Sequence, residues 1–196
     1  MKYKVIASDM DETLLNDQHV ICQRNIDLIR LAKEKGVKFV PATGRGFMSI
    51  QRDLKLLGLY DIPQEYVISF NGGALTENKN NQLLYFEGLS FEKTKEIFEF
   101  GLQQDVCQHI YTKDKVYVFN LSESEAKRIQ EQQVECEIMT ENSMDFLKDE
   151  PISKILFQNT DVPYLMSLEP QMKSITEGMC AVSYSSNRYM EFNKIG

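Results

Sequence analysis

The sequence predicts an α/β protein, with a parallel sheet in its N-terminal part and an α+β region after it. Two observations carry this. Short apolar runs at Val5–Ala7, Val37–Val40 and Tyr66–Phe70 alternate with helical spacing, and each run ends in a polar loop. That βαβαβ order gives parallel strands joined by right-handed crossovers. From about residue 84 the strands instead come as adjacent pairs between helices, which is the pattern of an antiparallel sheet. At 196 residues the chain is long enough for one large domain or two small ones, and the division expected is 1–83 and 84–196.

In chain order, Val5–Ala7 reads as a buried parallel strand emerging into a polar loop. Cys22–Lys35 carries Ile26, Ile29, Leu31 and Ala32 on helical spacing, with Gly36 at the C-terminal cap position. Val37–Val40 is the second strand and ends in Pro41-Ala42-Thr43-Gly44-Arg45. A helix follows with Phe47, Ile50, Leu54 and Leu57 on one face and Gly58 as its stop. Tyr66–Phe70 is the third strand, closed by Asn71-Gly72-Gly73. Ala74–Thr76 and Leu83–Phe86 read as a hairpin around Asn78–Asn81. Ser90 is placed to cap a helix over Phe91–Gln103. Val106–Tyr111 and Val116–Phe119 form a hairpin about Lys113-Asp114. Then come a highly charged, solvated helix at Glu123–Gln133, a strand at Ile152–Phe157 and a helix at Val162–Ile175. Met179–Tyr184 and Arg188–Phe192 make the last hairpin.

The net charge of −7 and the lack of a basic patch argue against nucleic-acid binding. No apolar run is long enough to span a bilayer, and a cytoplasmic protein is expected. Cys22, Cys107, Cys136 and Cys180 have no metal spacing and read as reduced, mostly buried thiols. His19 and His109 have no partners at ligand spacing and read as structural or exposed.

Chemistry concentrates in Tyr3–Leu15. There the first strand ends in Asp9 and Asp11, with Thr13 two residues on. Ligands of open α/β sheets bind at this carboxyl end. Two carboxylates one residue apart that converge on one spot need a cation between them or a shared proton. A hard cation such as Mg2+ fits that demand. The alternative is that both aspartates and the threonine only open a turn and cap the next helix. In the second loop, Thr43 offers a hydroxyl and Gly44 lets a backbone N–H approach an anion closely. Arg45 is placed either to reach an oxyanion or to stand exposed in solvent.

D-x-D-x-T at the end of strand one resembles the nucleophile motif of the haloacid dehalogenase (HAD) superfamily, with Glu12 where that motif usually has glycine. A-T-G-R at 42–45 resembles its second motif, and Asn71-Gly72-Gly73 resembles the N-G-A turn of the Cof-type branch. The resemblance implies an HAD Rossmann-like core with a large inserted α+β cap, and a Mg2+-dependent phosphatase acting on a small phosphorylated metabolite such as a sugar phosphate or nucleotide. It makes Asp9 the nucleophile that forms an aspartyl-phosphate and Asp11 the general acid and base. Asp9 and Asp11 would also hold the metal, and Thr43, Gly44, Arg45 and Asn71 the phosphate or substrate. Lys154 is a weak candidate for a substrate contact, an exposed strand lysine being the plainer reading.

The family pattern continues past the cap with a lysine and a G-D-x-x-N-D-type motif. The sequence stops at Gly196, which implies a chain truncated after the cap. Two expectations follow: impaired catalysis, and self-association through a first strand left at the edge of an uncompleted core sheet. Two other readings stand beside the phosphatase. One is a catalytically impaired remnant that binds a phosphorylated ligand or a partner. The other is a phosphotransferase such as a phosphomutase.

Overall fold

Strands form where β-branched and aromatic residues cluster, and glycine, asparagine and proline stop them. The computed structural model describes residues 3–195. The chain divides into two units, Met1–Phe86 and Glu87–Gly196.

The first unit runs β1 (Val5–Asp9), α1 (Gln23–Glu34), β2 (Lys38–Ala42), α2 (Gln51–Leu57), β3 (Tyr66–Ser69), β4 (Ala74–Glu77) and β5 (Gln82–Phe86). The sheet order is the chain order, β1-β2-β3-β4-β5. β1, β2 and β3 pair in parallel, and β4 and β5 add as an antiparallel meander. Parallel pairing puts the carboxyl ends of β1, β2 and β3 on one edge, so their three loops emerge together. α1 buries Ile26 and Ile29 as its spacing predicts, while Leu31 stays exposed. Gly58 ends α2 in the left-handed conformation that glycine adopts without steric cost.

One expectation fails here. β1 is not a buried strand, since Val5 is 55% and Ile6 44% exposed. Its apolar residues look like those of an interior strand, but among the described residues it has one neighbour, β2. Beside it lies an open groove of about 250 Å³ lined by Ile6, Leu14, Leu28, Ile29, Ala32 and Phe39 among others.

The second unit runs α3 (Phe91–Gly101), β6 (Cys107–Thr112), β7 (Val116–Phe119), α4 (Glu123–Gln132), β8 (Glu137–Ile138), β9 (Ile152–Gln158), α5 (Val162–Leu168), α6 (Lys173–Thr176), β10 (Cys180–Ser185) and β11 (Tyr189–Lys194). Its sheet order is β10-β11-β9-β6-β7-β8, antiparallel except for the two-residue β8, which lies parallel to β7. Ser90 and Ser122 cap α3 and α4, each accepting a hydrogen bond from the N–H three residues on. The expected helix over Val162–Ile175 is broken into α5, a 3-10 turn at Glu169–Met172, and α6. Pro170 offers no N–H to continue an α-helical ladder.

The two faces of this sheet differ. Ile110, Ile155, Phe157 and Phe192 pack against Ile97, Phe98, Leu165 and Leu168 in one apolar core. The strand pairing sets His109 beside Leu156, Leu156 beside Glu191, and Tyr111 beside Lys154. Residues paired across neighbouring strands share a face, so these five occupy the face opposite the apolar core. Lys154, read from sequence as an exposed strand lysine, is only 4% exposed and bonds Glu191 Oε2 at 2.5 Å. The Lys154 ammonium also lies 4.9 Å from the centre of the Tyr111 ring. Glu125 is the buried residue of the otherwise solvated α4. It accepts from Tyr189 Oη at 2.7 Å, pairs with Arg188 Nη2 at 3.1 Å, and lies 3.5 Å from His109 Nε2. His109 is therefore a buried histidine. Burial first, then the charges of Lys154 and Arg188, push it down to about 3 and keep it neutral. Of the cysteines, Cys107 and Cys180 are buried and Cys22 is exposed.

Candidate functional site

Asp9 is the last residue of β1 and is paired with Ala42 of β2. Beyond it the chain makes a tight turn over Met10–Leu14, anchored by fully buried Met10 and closed by Leu15 N–H on Met10 O at 2.8 Å. Burying Met10 turns Asp9 and Asp11 outward, and both carboxylates stay in water. Glu12 adopts φ +59, ψ 10, a left-handed conformation that glycine takes far more readily. That is a physical reason for the glycine usual at this place in the D-x-D-x-T motif.

The second loop follows β2. Thr43 is buried, its N–H bonds Ile68 O of β3 at 3.0 Å, and its hydroxyl oxygen accepts from Arg45 N–H at 3.1 Å. Arg45 Nε lies 3.1 Å from Asp11 Oδ2, a charge contact away from ideal hydrogen-bond direction. Arg45 Nη2 is buried with no hydrogen-bond partner among the described residues. Buried guanidinium nitrogens of this kind favour an anion.

The third loop follows β3 and leans on the second. Phe70 N–H bonds Arg45 O at 3.1 Å, and Asn71 N–H bonds Thr43 O at 3.2 Å. The Asn71 side chain lies directly over Gly44, where an added Cβ would come within 2.6 Å of Asn71 Oδ1. A larger residue there would have to displace the Asn71 side chain.

The structure thus brings Asp11 to Arg45, and Asn71 to Thr43 and Gly44. Asp9 stands on β1 beside the strand that carries Thr43. Sequence reasoning missed Asp53, in the first turn of α2. Half-burial raises its carboxyl above the usual range, opposed by the charges of Arg45 and Arg52 and reinforced by Asp11. Nothing in its spacing distinguishes it from a capping residue.

Asp9 and Asp11 are hard oxygen donors exposed at a strand end, the donor type Mg2+ takes when it keeps several waters. Among the described residues no group of three or more His, Cys, Asp or Glu converges for a metal. The present donors fit Mg2+ through oxygens of Asp9 and Asp11, with water or ligand oxygens completing the shell. Among the described residues, no helix is long and apolar enough to cross a membrane.

Residues 6–196 match the family of haloacid dehalogenase-like hydrolases, and the chain belongs to that family. YxeH of Bacillus subtilis (strain 168) is 33% identical over 123 residues, which cover 63% of this chain and 45% of the relative. The 5-amino-6-(5-phospho-D-ribitylamino)uracil phosphatase YcsE of the same organism is 38% identical over 78 residues, 40% of this chain and 30% of the relative. The matched stretch therefore spans less than half the length of either relative. Among solved structures, a haloacid dehalogenase-like hydrolase from Bacteroides thetaiotaomicron superposes with TM-score 0.84 at 22% identity, covering 100% of this chain and 72% of the other. A HAD subclass IIB sugar phosphatase superposes at 0.78 and 18%, covering 98% and 70%. At these identities the superpositions speak for the fold.

Proposed function

We propose that the protein is a Mg2+-dependent phosphomonoester hydrolase acting on a small phosphorylated metabolite, a sugar phosphate or a similar compound. The observation that carries this reading is the convergence of three strand-end loops, with Asp11 against Arg45 and Asn71 against Gly44. A sugar phosphatase among the structural neighbours and a ribityl-phosphate phosphatase among the relatives support the substrate class.

A Cof-type division of labour assigns Asp9 as nucleophile and Asp11 as acid and base. An Asp9 carboxylate oxygen attacks phosphorus, the bond to the substrate oxygen breaks, and Asp11 gives that oxygen its proton. Water then attacks the aspartyl-phosphate, loses its proton to Asp11, and frees inorganic phosphate and the Asp9 carboxylate. The Thr43 hydroxyl and the backbone around Gly44 hold the phosphoryl oxygens. Arg45 keeps Asp11 in place and offers Nη2 to the substrate anion. Asn71 fixes the loop that contains Gly44. Mg2+, held by the Asp9 carboxylate and the Asp11 backbone carbonyl, would neutralise phosphoryl charge.

A second reading, a domain that binds the phosphorylated ligand without turning it over, is favoured by the pair of carboxylates standing without a third acidic partner among the described residues. One experiment separates the two. Hydrolysis of an aryl phosphate by this chain is measured with and without Mg2+, beside Asp9→Asn. Turnover that needs both Mg2+ and Asp9 supports the hydrolase. Folded protein that binds inorganic phosphate without turnover supports the binding domain.

We also infer self-association through β1, whose unpaired backbone edge and exposed Val5 and Ile6 suit pairing with a second copy. Light scattering is expected to show dimers that Ile6→Lys abolishes, and a stable wild-type monomer would overturn this.

A further inference from the structure

Phe70 and Asn71 both have left-handed backbones, φ +54 and +56, and Gly72 follows at φ +99. Asparagine tolerates this conformation, but a buried phenylalanine in it is an outlier that the surroundings must enforce. A turn from β3 into β4 does not by itself demand it. What the strained pair achieves is contact with four consecutive residues of the second loop. Asn71 N–H bonds Thr43 O, and the Asn71 side chain covers Gly44. Phe70 N–H bonds Arg45 O, and the Phe70 ring lies so close to Gly46 that an added Cβ there would meet it at 3.0 Å. The ring also packs edge-on with Phe86 of β5, with centroids 6.4 Å apart and planes at 80°.

We propose that Phe70 is a positioning residue: with Asn71 it clamps the path of Thr43–Gly46, and so aims the Thr43 hydroxyl and the Arg45 guanidinium. The ring is apolar and buried against Gly46 and Phe86, so it acts through the second loop. Glycines at 44 and 46 are what let the clamp close to contact distance. Freed of the ring, the loop keeps its sequence but loses one of the two fixed points that hold Arg45 O and Gly46. The proposal rests on the reading of Thr43 and Arg45 as phosphoryl-binding groups.

The test compares the full chain with Phe70→Leu, Phe70→Tyr, Thr43→Ala and the Phe70→Leu/Thr43→Ala double variant. Inorganic phosphate binding in the presence of Mg2+ is measured by calorimetry on samples shown to be folded by circular dichroism. The clamp predicts that Phe70→Leu weakens phosphate about tenfold and Phe70→Tyr much less. It also predicts that the double variant loses clearly less than the sum of the two single losses, because both changes act on the same loop. Additive losses, or wild-type affinity in folded Phe70→Leu, would overturn it. Hydrogen exchange supplies a second readout that does not depend on phosphate. The Arg45 amide, which bonds Thr43 Oγ1, is expected to exchange about tenfold faster in Phe70→Leu while Ile29 in α1 is unchanged. If the wild type binds no phosphate but Arg45 exchange rises, the phosphatase reading fails and the clamp stands. Unchanged Arg45 exchange sinks the clamp itself.

Discussion

The strand-end site of the first unit and the sheet of the second unit use charged residues in opposite ways. In the first, Asp9 and Asp11 stand in water at a strand end, and the cation at Asp11 is a partly exposed arginine. In the second, Lys154, Glu191 and Glu125 are buried and already paired with one another or with Tyr189, Arg188 and Ser185, and the neutral His109 ring lies beside Glu125. A carboxylate left in water keeps its capacity for a metal or a phosphoryl group. One buried beside a lysine has committed that capacity to the fold, because separating the pair leaves an unsolvated charge. The residue types are the same, and the environment assigns the task.

The sharpest way to break this contrast is to remove one buried partner. Lys154→Met leaves the Glu191 carboxylate without its cation and should cost the second unit about 3–5 kcal/mol, with Lys154→Met/Glu191→Leu regaining most of it. Urea unfolding followed by hydrogen exchange, which resolves the two units, measures both. A single variant as stable as wild type would mean the pair is not committed to the fold.

Acid should find the second unit first. His109 has an ordinary value near 6.5 and about 3 when folded, so between these pH values the unfolded chain holds the extra proton. Stability is then greatest above about 6.5 and falls as pH drops towards 3, by up to about 1.4 kcal/mol per pH unit. Glu125, Arg188, Lys154, Tyr111 and Tyr189 surround the ring and remain in place in His109→Gln. In that variant the slope attributable to the ring should vanish, and an unchanged slope would assign it to another group.

At Glu12, in the first unit, the strain lies in backbone that water can reach. Glu12→Gly relieves a left-handed glutamate and should stabilise that unit by about 1 kcal/mol, less the entropy glycine adds to the unfolded chain. The smallest effect is expected at the open edge. Val5→Thr should change unfolding free energy by less than about 0.5 kcal/mol, since Val5 is already more than half exposed. A larger loss would show that Val5 is covered in solution, as self-association requires.

Much of the architecture could be read before the structure. The three apolar runs that each end in a polar loop yielded β1, β2 and β3, and Ser90 stands where α3 begins, as expected. Pro170 signals the break between α5 and α6, which the expected single helix over Val162–Ile175 passed over. Lys154 and Glu125 were not legible, because each lies in a stretch where a solvated charge is the commonest outcome. Their partners Glu191 and Arg188 come much later in the chain. Asp53 likewise shows itself only through the loop that brings Arg45 close to it.

The sequence by itself determined the local matters: which residues form strands and helices, and that Asp9, Asp11, Thr43 and Asn71 fall at strand ends. These follow from side-chain periodicity and from turn residues acting over a few positions. Only the tertiary structure decided that Arg45 meets Asp11, that Phe70 and Asn71 are forced left-handed against Gly44 and Gly46, and that Lys154 is buried with Glu191. Each of these depends on which strands become neighbours, and a strand's partner is set by the burial of the whole sheet rather than by its own residues.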